Sequence, residues 1–225
     1  DVEKYGNVVL HKVKGKQLVE GQQIKCKINE ERRATLARHH TATHLVNGAA
    51  QKVLGSWVWQ HSAYKDIDKA RLDITHFAHL TDNEILKIES LVNNAIRLNL
   101  PVKTEILTRS KAEQKYGFKL YQGGVVPTRD LRVLNISGWD VEACGGTHTS
   151  MTGDVGFIKI LKSERIQDGI ERIEFVGGEP ALKHIQMREN ILKEISETVE
   201  SPQNKVVTVV TDLKRTNDIL RKKQK

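Results

Sequence analysis

The segment ERRATLARHHTATHLVNGAAQKVL, residues 31–54, decides the fold because its apolar residues recur at the period of an α-helix. His40 and His44 lie along the edge of the apolar stripe, where side chains can face a cleft while the helix stays anchored. His39 points about 100° away from His40, and we interpret it as a solvated or structural histidine. The predicted stripe consists of Ala42, Leu45, Val46, Ala49 and Val53.

The two histidines have a counterpart later in the chain, in the motif EACGGTH at residues 142–148. His40 and His44 are spaced i, i+4, and so are Cys144 and His148. On a helix that spacing separates two side chains by only about 40°. Imidazole and thiolate are ligands that Zn²⁺ prefers, and four of them can form a tetrahedral site. We therefore predict one zinc ion per chain, bound by His40, His44, Cys144 and His148.

Two other interpretations of these residues stay open. The histidines could be buried and hydrogen-bonded, and Cys144 could be an ordinary small hydrophobic residue of the core. A purely structural zinc, closed by four protein ligands, is also compatible with the motif.

Strands and further helices are predicted on both sides of the first helix. Residues 7–28 are predicted to form antiparallel strands, and their alternating pattern places Cys26 on the core face, away from metal chemistry. TDNE at 81–84 and SKAE at 110–113 are capping-box patterns, the second opening a short helix that Gly117 ends. The order predicts an α+β fold, an antiparallel sheet with packed helices. Further strands are predicted at 71–77, 101–107, 131–136, 155–162 and 170–176.

The last part of the chain, residues 179–225, predicts a helical hairpin or short coiled coil. Pro180 and the SP pair at 201–202 suit helix starts. Val206, Leu213 and Leu220 are spaced by seven residues, as in a coiled-coil heptad. We expect these helices to allow self-association, and a solvated basic helix end is the alternative.

Composition limits the classes of function. The chain has 36 Lys+Arg against 28 Asp+Glu, and its net charge of +8 permits a polyanionic partner such as nucleic acid. No apolar run approaches the ~18 residues of a membrane span, so we expect no membrane partner. Nothing at the start resembles a signal peptide. The two cysteines, Cys26 and Cys144, make no disulfide framework, so we predict a reduced, cytoplasmic setting.

Four motifs, in their order and spacing, resemble the editing domain of alanyl-tRNA synthetase. They are RHHTATHL (38–45), QHSAYK (60–65), VEACGGTHTSMTGDVG (141–156) and GIERIEFVGG (169–178). The resemblance covers about residues 8–178, and the QHSAYK form is similar to archaeal or eukaryotic members. The HxxxH and CxxxH skeleton is shared with the editing domain of threonyl-tRNA synthetase and with free-standing alanyl-tRNA editing proteins.

The resemblance implies three regions. Residues 1–30 would be part of a small β-barrel, 31–178 the zinc-dependent editing domain, and 179–225 the helical tail. The aminoacylation and ATP-binding regions of the synthetase have no counterpart here. We therefore expect a fragment that does not activate amino acids.

The resemblance also implies a reaction, hydrolysis of the ester that links serine or glycine to the acceptor end of alanine-specific tRNA. Thr43 is the candidate for recognising the serine hydroxyl, and a bond to the helix backbone is its alternative role. Gln60 matches the family's glutamine after the HxxxH helix and could hold substrate or water, or be a buried structural amide. Gly145 and Gly146 could bring backbone N–H groups close to the adenosine or the developing oxyanion.

Three other functions stay open. The chain could be a non-catalytic RNA-binding module stabilised by zinc, which would bind tRNA and leave the ester intact. It could be a free-standing editing protein, or a dimerisation element supported only by its tail.

Overall fold

A long helix, α1, lies at the centre of an α+β fold, and the predicted fold class is confirmed. The structure is a computed structural model that describes residues 2–5, 8–15 and 18–223. These residues form five α-helices and three antiparallel sheets. The helices are α1 (Glu30–Leu54), α2 (Asp82–Arg97), α3 (Arg109–Tyr116), α4 (Glu179–Thr198) and α5 (Val206–Lys223). The strands are β1 (Val2–Tyr5), β2 (Val8–His11), β3 (Gln60–Lys65), β4 (Ala70–Thr75), β5 (Val102–Thr108), β6 (Asp130–Ile136), β7 (Asp140–Ala143), β8 (Ile158–Gln167) and β9 (Ile170–Gly177).

The sequence of α1 explains both its ends and its burial. Asn29 begins the helix, because its side chain accepts a hydrogen bond from the N–H of Arg32 at 2.9 Å. Gly55 ends the helix with a φ of 128°, a conformation that favours glycine. The burial of the predicted stripe is confirmed, because its members are buried fully or in part: Ala42, Leu45, Val46, Ala49 and Val53. Its limitation to one face is wrong, because all of residues 41–50 are buried and α1 is therefore enclosed on every side there.

Two larger sheets position the polar motifs around α1. The strands of the first sheet are ordered β3, β4, β9 and β8, and its apolar residues share one core with α1 and α2. The second sheet has the order β5, β6 and β7, and a smaller apolar cluster joins it to α3. Pairing of the short β7 with β6 carries the EACGGTH motif to the side of α1.

Helix α2 begins at the predicted capping box. The Thr81 hydroxyl accepts from the N–H of Glu84, and the Glu84 carboxylate accepts from the N–H of Thr81. The second predicted box is wrong, because α3 begins two residues earlier, after Thr108, and no side chain caps it. Gly117 ends α3 as predicted, with a φ of 68°.

The prediction of paired strands across residues 7–28 is largely wrong. β1 pairs with β2, but residues 22–29 form no regular structure, and the described residues contain no closed barrel. Cys26 is exposed, so it does not lie on a core face. Ile24 and Ile28 are each 55% exposed. An alternating pattern needs a partner strand to become a buried face, and the described chain supplies none here.

The tail is helical, as predicted. Pro180 lies in the first turn of α4, and α5 follows after residues 199–205. Most apolar side chains of α5 stay exposed, including Leu213 at 56% and Leu220 at 55%. Self-association through these helices stays a prediction. None of the described helices is both long and apolar enough to cross a membrane.

Candidate metal centre

The four predicted ligands converge on one point. His40 and His44 come from α1, and Cys144 and His148 come from the loop that follows β7. One candidate ligand atom from each lies within 4.8 Å of the others. Cys144 Sγ is 3.4 Å from Nε2 of His40 and 3.3 Å from Nε2 of His148. The structure therefore brings the four predicted side chains together, and metal binding by them stays a prediction.

The geometry that joins Cys144 to His148 differs from the predicted one. The i, i+4 argument holds for the histidines of α1, but residues 144–148 form a loop rather than a helical turn. Arg132 of β6 holds this loop, because its guanidinium donates to the carbonyl oxygens of Cys144 at 2.7 Å and Gly146 at 2.9 Å. A Cβ on Gly146 would lie 1.9 Å from Cε1 of His40, so only glycine lets the loop approach α1 this closely.

His44 is held from behind by two acidic side chains of β7. Its Nδ1 donates to Oδ2 of Asp140 at 2.8 Å and lies 3.5 Å from Oε2 of Glu142. These three side chains are only 2–3% exposed. Asp140 and Glu142 were missed in the sequence, and the available signal was the i, i+2 spacing of two acids next to Cys144.

Burial and local charge set the protonation of the centre. Burial first, and nearby positive charges second, lower the pKa of His40 to about 2 and that of His148 to about 3. Burial alone would lower the pKa of His44, but Glu142 and Asp140 raise it well above its ordinary value. Burial would raise the pKa of the Cys144 thiol, but the neighbouring His44 imidazole brings it below its usual range.

The residues present fit a zinc ion. Three imidazoles and one thiol form the donor set that zinc prefers. Nε2 of His44 is buried and has no hydrogen-bond partner, which is costly for a polar atom unless it binds something. His148 is oriented by Thr41, whose hydroxyl lies 3.5 Å from its Nδ1 and accepts from the N–H of Thr149.

The other predicted site residues make contacts that do not by themselves indicate a catalytic role. The Thr43 hydroxyl donates to the His39 carbonyl at 2.8 Å, the backbone bond that its alternative role requires. Gln60 is half-buried at the start of β3, with its amide nitrogen against Gly123. A Cβ on Gly145 would meet nothing within 4 Å, so this glycine faces open space.

His39 is a structural residue. It is fully buried, its Nδ1 lies 2.5 Å from the Asp66 carbonyl, and its Nε2 accepts from the N–H of Gly177 at 3.2 Å. This side chain therefore ties α1 to β9 and to the end of β3.

A cleft of 470 Å³ opens beside His148. Its lining carries Arg33 and Arg38 together with Glu30 and Asp154, so the positive and negative side chains are equal in number. Lys65, which sequence reasoning missed, is half-buried at the end of β3, and burial lowers its pKa. The charge of Lys65 contributes to the lowered pKa of both His40 and His148, so Lys65 lies near the centre.

Part of the chain is similar to a domain associated with aminoacyl-tRNA synthetases. Residues 131–174, which include Cys144 and His148, match the family described as "Threonyl and Alanyl tRNA synthetase second additional domain".

Relatives with a fuller match are more specific. The alanine–tRNA ligase of Nitrosopumilus maritimus is 48% identical over 197 residues, which are 88% of this chain and 22% of the relative. That of Methanopyrus kandleri is 48% identical over 210 residues, 93% of this chain and 23% of the relative. That of Methanosarcina mazei is 48% identical over 232 residues, 98% of this chain and 25% of the relative.

The predicted resemblance is thereby confirmed. Over most of its length, this chain is similar to one segment of archaeal alanine–tRNA ligases. The chain spans about a quarter of the length of these relatives.

Proposed function

We propose that this chain hydrolyses the ester between serine or glycine and the acceptor end of alanine-specific tRNA. The observation that carries the proposal is the convergence of His40, His44, Cys144 and His148 beside a cleft. Similarity to alanine–tRNA ligases supplies the substrate class.

The reaction meets a physical need. Alanine differs from glycine by one methyl group and from serine by one hydroxyl. A binding pocket for alanine can discriminate against either by only about 1–3 kcal/mol. A second, hydrolytic site can raise the accuracy of tRNA charging, because it can recognise the serine hydroxyl with a polar group.

We infer that one zinc ion binds to the four side chains and that the cleft beside His148 admits the terminal adenosine. A zinc ion there would supply Lewis-acid polarisation and orientation of the ester. Gln60 is assigned to hold substrate or water, and Gly145 and Gly146 to offer backbone N–H groups to the developing oxyanion. Thr43 is assigned to the serine hydroxyl. Its hydroxyl oxygen can accept a hydrogen bond from serine while its own hydrogen is donated to the His39 carbonyl.

A cytoplasmic setting fits this proposal. Cys144 is a free cysteine, and a metal-binding thiolate must stay reduced to act as a ligand.

Deacylation of Ser-tRNA(Ala) by the purified chain, with and without a chelator, tests the proposal. Cys144→Ala should lower zinc content and deacylation together, because it removes one of the four donors. Cys26→Ala is the matched control and should change neither, because Cys26 is exposed in a segment without regular structure. Equal losses from both substitutions would contradict the assignment.

One observation favours a second function, a zinc-stabilised module that binds tRNA without catalysis. Four protein donors can fill a tetrahedral shell and leave no open position for substrate. The same assay separates the two functions, because the binding module would shift tRNA on a gel and leave the ester intact.

A further inference from the structure

A buried acidic pair lies directly behind the candidate metal centre. Asp140 and Glu142 point to the same side of β7, because residues i and i+2 of a strand share a face. Both side chains are only 2–3% exposed, and both approach Nδ1 of His44, at 2.8 and 3.5 Å. Burying two carboxylates costs several kcal/mol each unless a cation or hydrogen bonds compensate.

The surroundings direct the pair toward His44. Among the described residues, His44 is the one basic side chain within ion-pair distance of either carboxylate. The Asn47 amide donates to the other oxygen of Glu142 at 3.0 Å and also to Gln122 at 2.7 Å. Gln51 donates to the same oxygen of Gln122 at 2.7 Å. This amide network fixes Glu142 with its second oxygen facing His44.

We propose that Asp140 and Glu142 are positioning residues for the metal centre, holding His44 by its Nδ1–H so that Nε2 faces the other three donors. A carboxylate can only accept, so the proton of that hydrogen bond belongs to Nδ1. Nε2 is then the atom left to bind a metal, and it is the buried atom without a partner. This inference rests on the zinc site of the proposed function.

The negative charge of Asp140 and Glu142 also favours metal binding. A dication bound by one thiolate and three neutral imidazoles keeps one net positive charge inside the protein. A carboxylate behind His44 offsets that charge and strengthens the imidazole as a donor, which raises metal affinity.

A second metal ion between His44, Asp140 and Glu142 is the competing assignment. Their ligand atoms also lie within 4.8 Å of one another. Such an ion would need Nδ1 of His44 without its proton while Nε2 binds the first ion. The hydrogen bond at 2.8 Å is the arrangement of a proton-bearing Nδ1.

Zinc affinity, measured by competition with a chelator of known affinity, tests the proposal. Glu142→Gln and Asp140→Asn keep the volume and remove one charge each. We expect each to weaken zinc binding by about 10- to 100-fold, the usual cost of removing a group that orients a metal ligand. Unfolding of the zinc-free and zinc-loaded forms is measured in parallel, because a merely structural role would destabilise both equally and leave affinity unchanged.

Asp73→Asn is the matched control. Its carboxylate is 3% exposed and is bound by Arg172 on the first sheet, away from the metal centre. This substitution should lower stability and leave zinc affinity unchanged.

The outcomes separate the inference from the proposed function. Zinc affinities of both variants equal to that of the unmodified chain would overturn the inference and leave the metal centre standing. Two zinc ions per chain, or failure of both variants to fold without zinc, would also overturn it. An unmodified chain that binds no zinc would overturn the metal centre together with the inference, whereas zinc binding without deacylation would contradict only the proposed reaction.

Discussion

At Gly146 the backbone of the loop lies directly against the ring of His40. A Cβ would come within 1.9 Å of that ring, whereas a Cβ on Gly145 would meet nothing within 4 Å. Gly146 is therefore required by its contact with His40, whereas none of the described atoms restricts the side chain at position 145.

We predict that Gly146→Ala moves His40 or the loop and that Gly145→Ala does not. A displacement of about 1 Å at a catalytic site can cost on the order of 100-fold in rate. Gly146→Ala should lower zinc affinity and deacylation together, as measured by chelator competition and by serine release. Equal effects from Gly145→Ala would show that the loop needs flexibility rather than space at this position.

A substitution at Thr43 tests the discrimination between serine and glycine. Thr43→Val should slow the clearing of serine more than that of glycine, because only serine has a hydroxyl to donate. One net hydrogen bond is worth about 0.5–1.5 kcal/mol, so a several-fold change is expected. The measurement is the ratio of the deacylation rates of Ser-tRNA(Ala) and Gly-tRNA(Ala). An unchanged ratio would mean that the bond to His39 is the whole role of Thr43.

At the scale of secondary-structure elements, an ion pair across β4 and β9 links stability to pH. Arg172 donates to both oxygens of Asp73, at 2.7 and 2.9 Å, and Ser62 donates at 2.6 Å. Burial would raise the pKa of Asp73, but these hydrogen bonds and the charge of Arg172 lower it below its ordinary value. The folded state therefore binds this proton more weakly than the unfolded state does.

Because the folded pKa is the lower one, the stabilisation is fully present above the unfolded pKa of about 3.9 and is lost as pH falls through the folded value. Asp73→Asn should lower the free energy of unfolding by about 1–3 kcal/mol at neutral pH. It should also make stability below about pH 4 less dependent on pH. Urea unfolding at pH 7 and pH 3 measures both effects. If the unmodified chain and Asp73→Asn lose the same unfolding free energy between these pH values, the acid sensitivity belongs to other groups.

The elements also show what the sequence could predict. Helix α1 follows its own apolar period, so the positions of His40 and His44 were predictable from local sequence. Cys144 and His148 were identified by residue type, although the loop that joins them depends on Arg132 of β6. Burial of Asp140 and Glu142 comes from the pairing of β7 with β6 and from α1, and a four-residue segment carries no sign of such long-range contacts.

Strand prediction failed in both directions for a related reason. QHSAYK is polar, yet it forms β3 because β4 pairs with it along the edge of the first sheet. Ile24, Cys26 and Ile28 alternate well, yet they form no strand in the described chain. A strand depends on its partner more than on its own pattern, so local sequence was a weaker guide to strands than to helices.

At the scale of the whole molecule, net charge determines the expected mode of tRNA binding. The chain carries a net charge of +8, and the cleft beside His148 is lined by Arg33 and Arg38 as well as by Glu30 and Asp154. The chain spans about a quarter of its relatives, and the acceptor end alone offers it a short stretch of RNA. Most of the affinity should therefore come from phosphate contacts, each of which releases counterions.

We predict that log K for tRNA falls linearly with log salt, by about 0.7–0.9 for each phosphate contact. Binding and deacylation should need no ATP, because hydrolysis of an ester consumes only water. Arg33→Gln should weaken binding to all tRNAs. It should also reduce the slope of log K against log salt by the contribution of about one phosphate contact. Arg188→Gln removes an equal charge from the exposed surface of α4 and is the control. Tight binding that is independent of salt would instead require a shape-specific interface, in which neither substitution changes the slope.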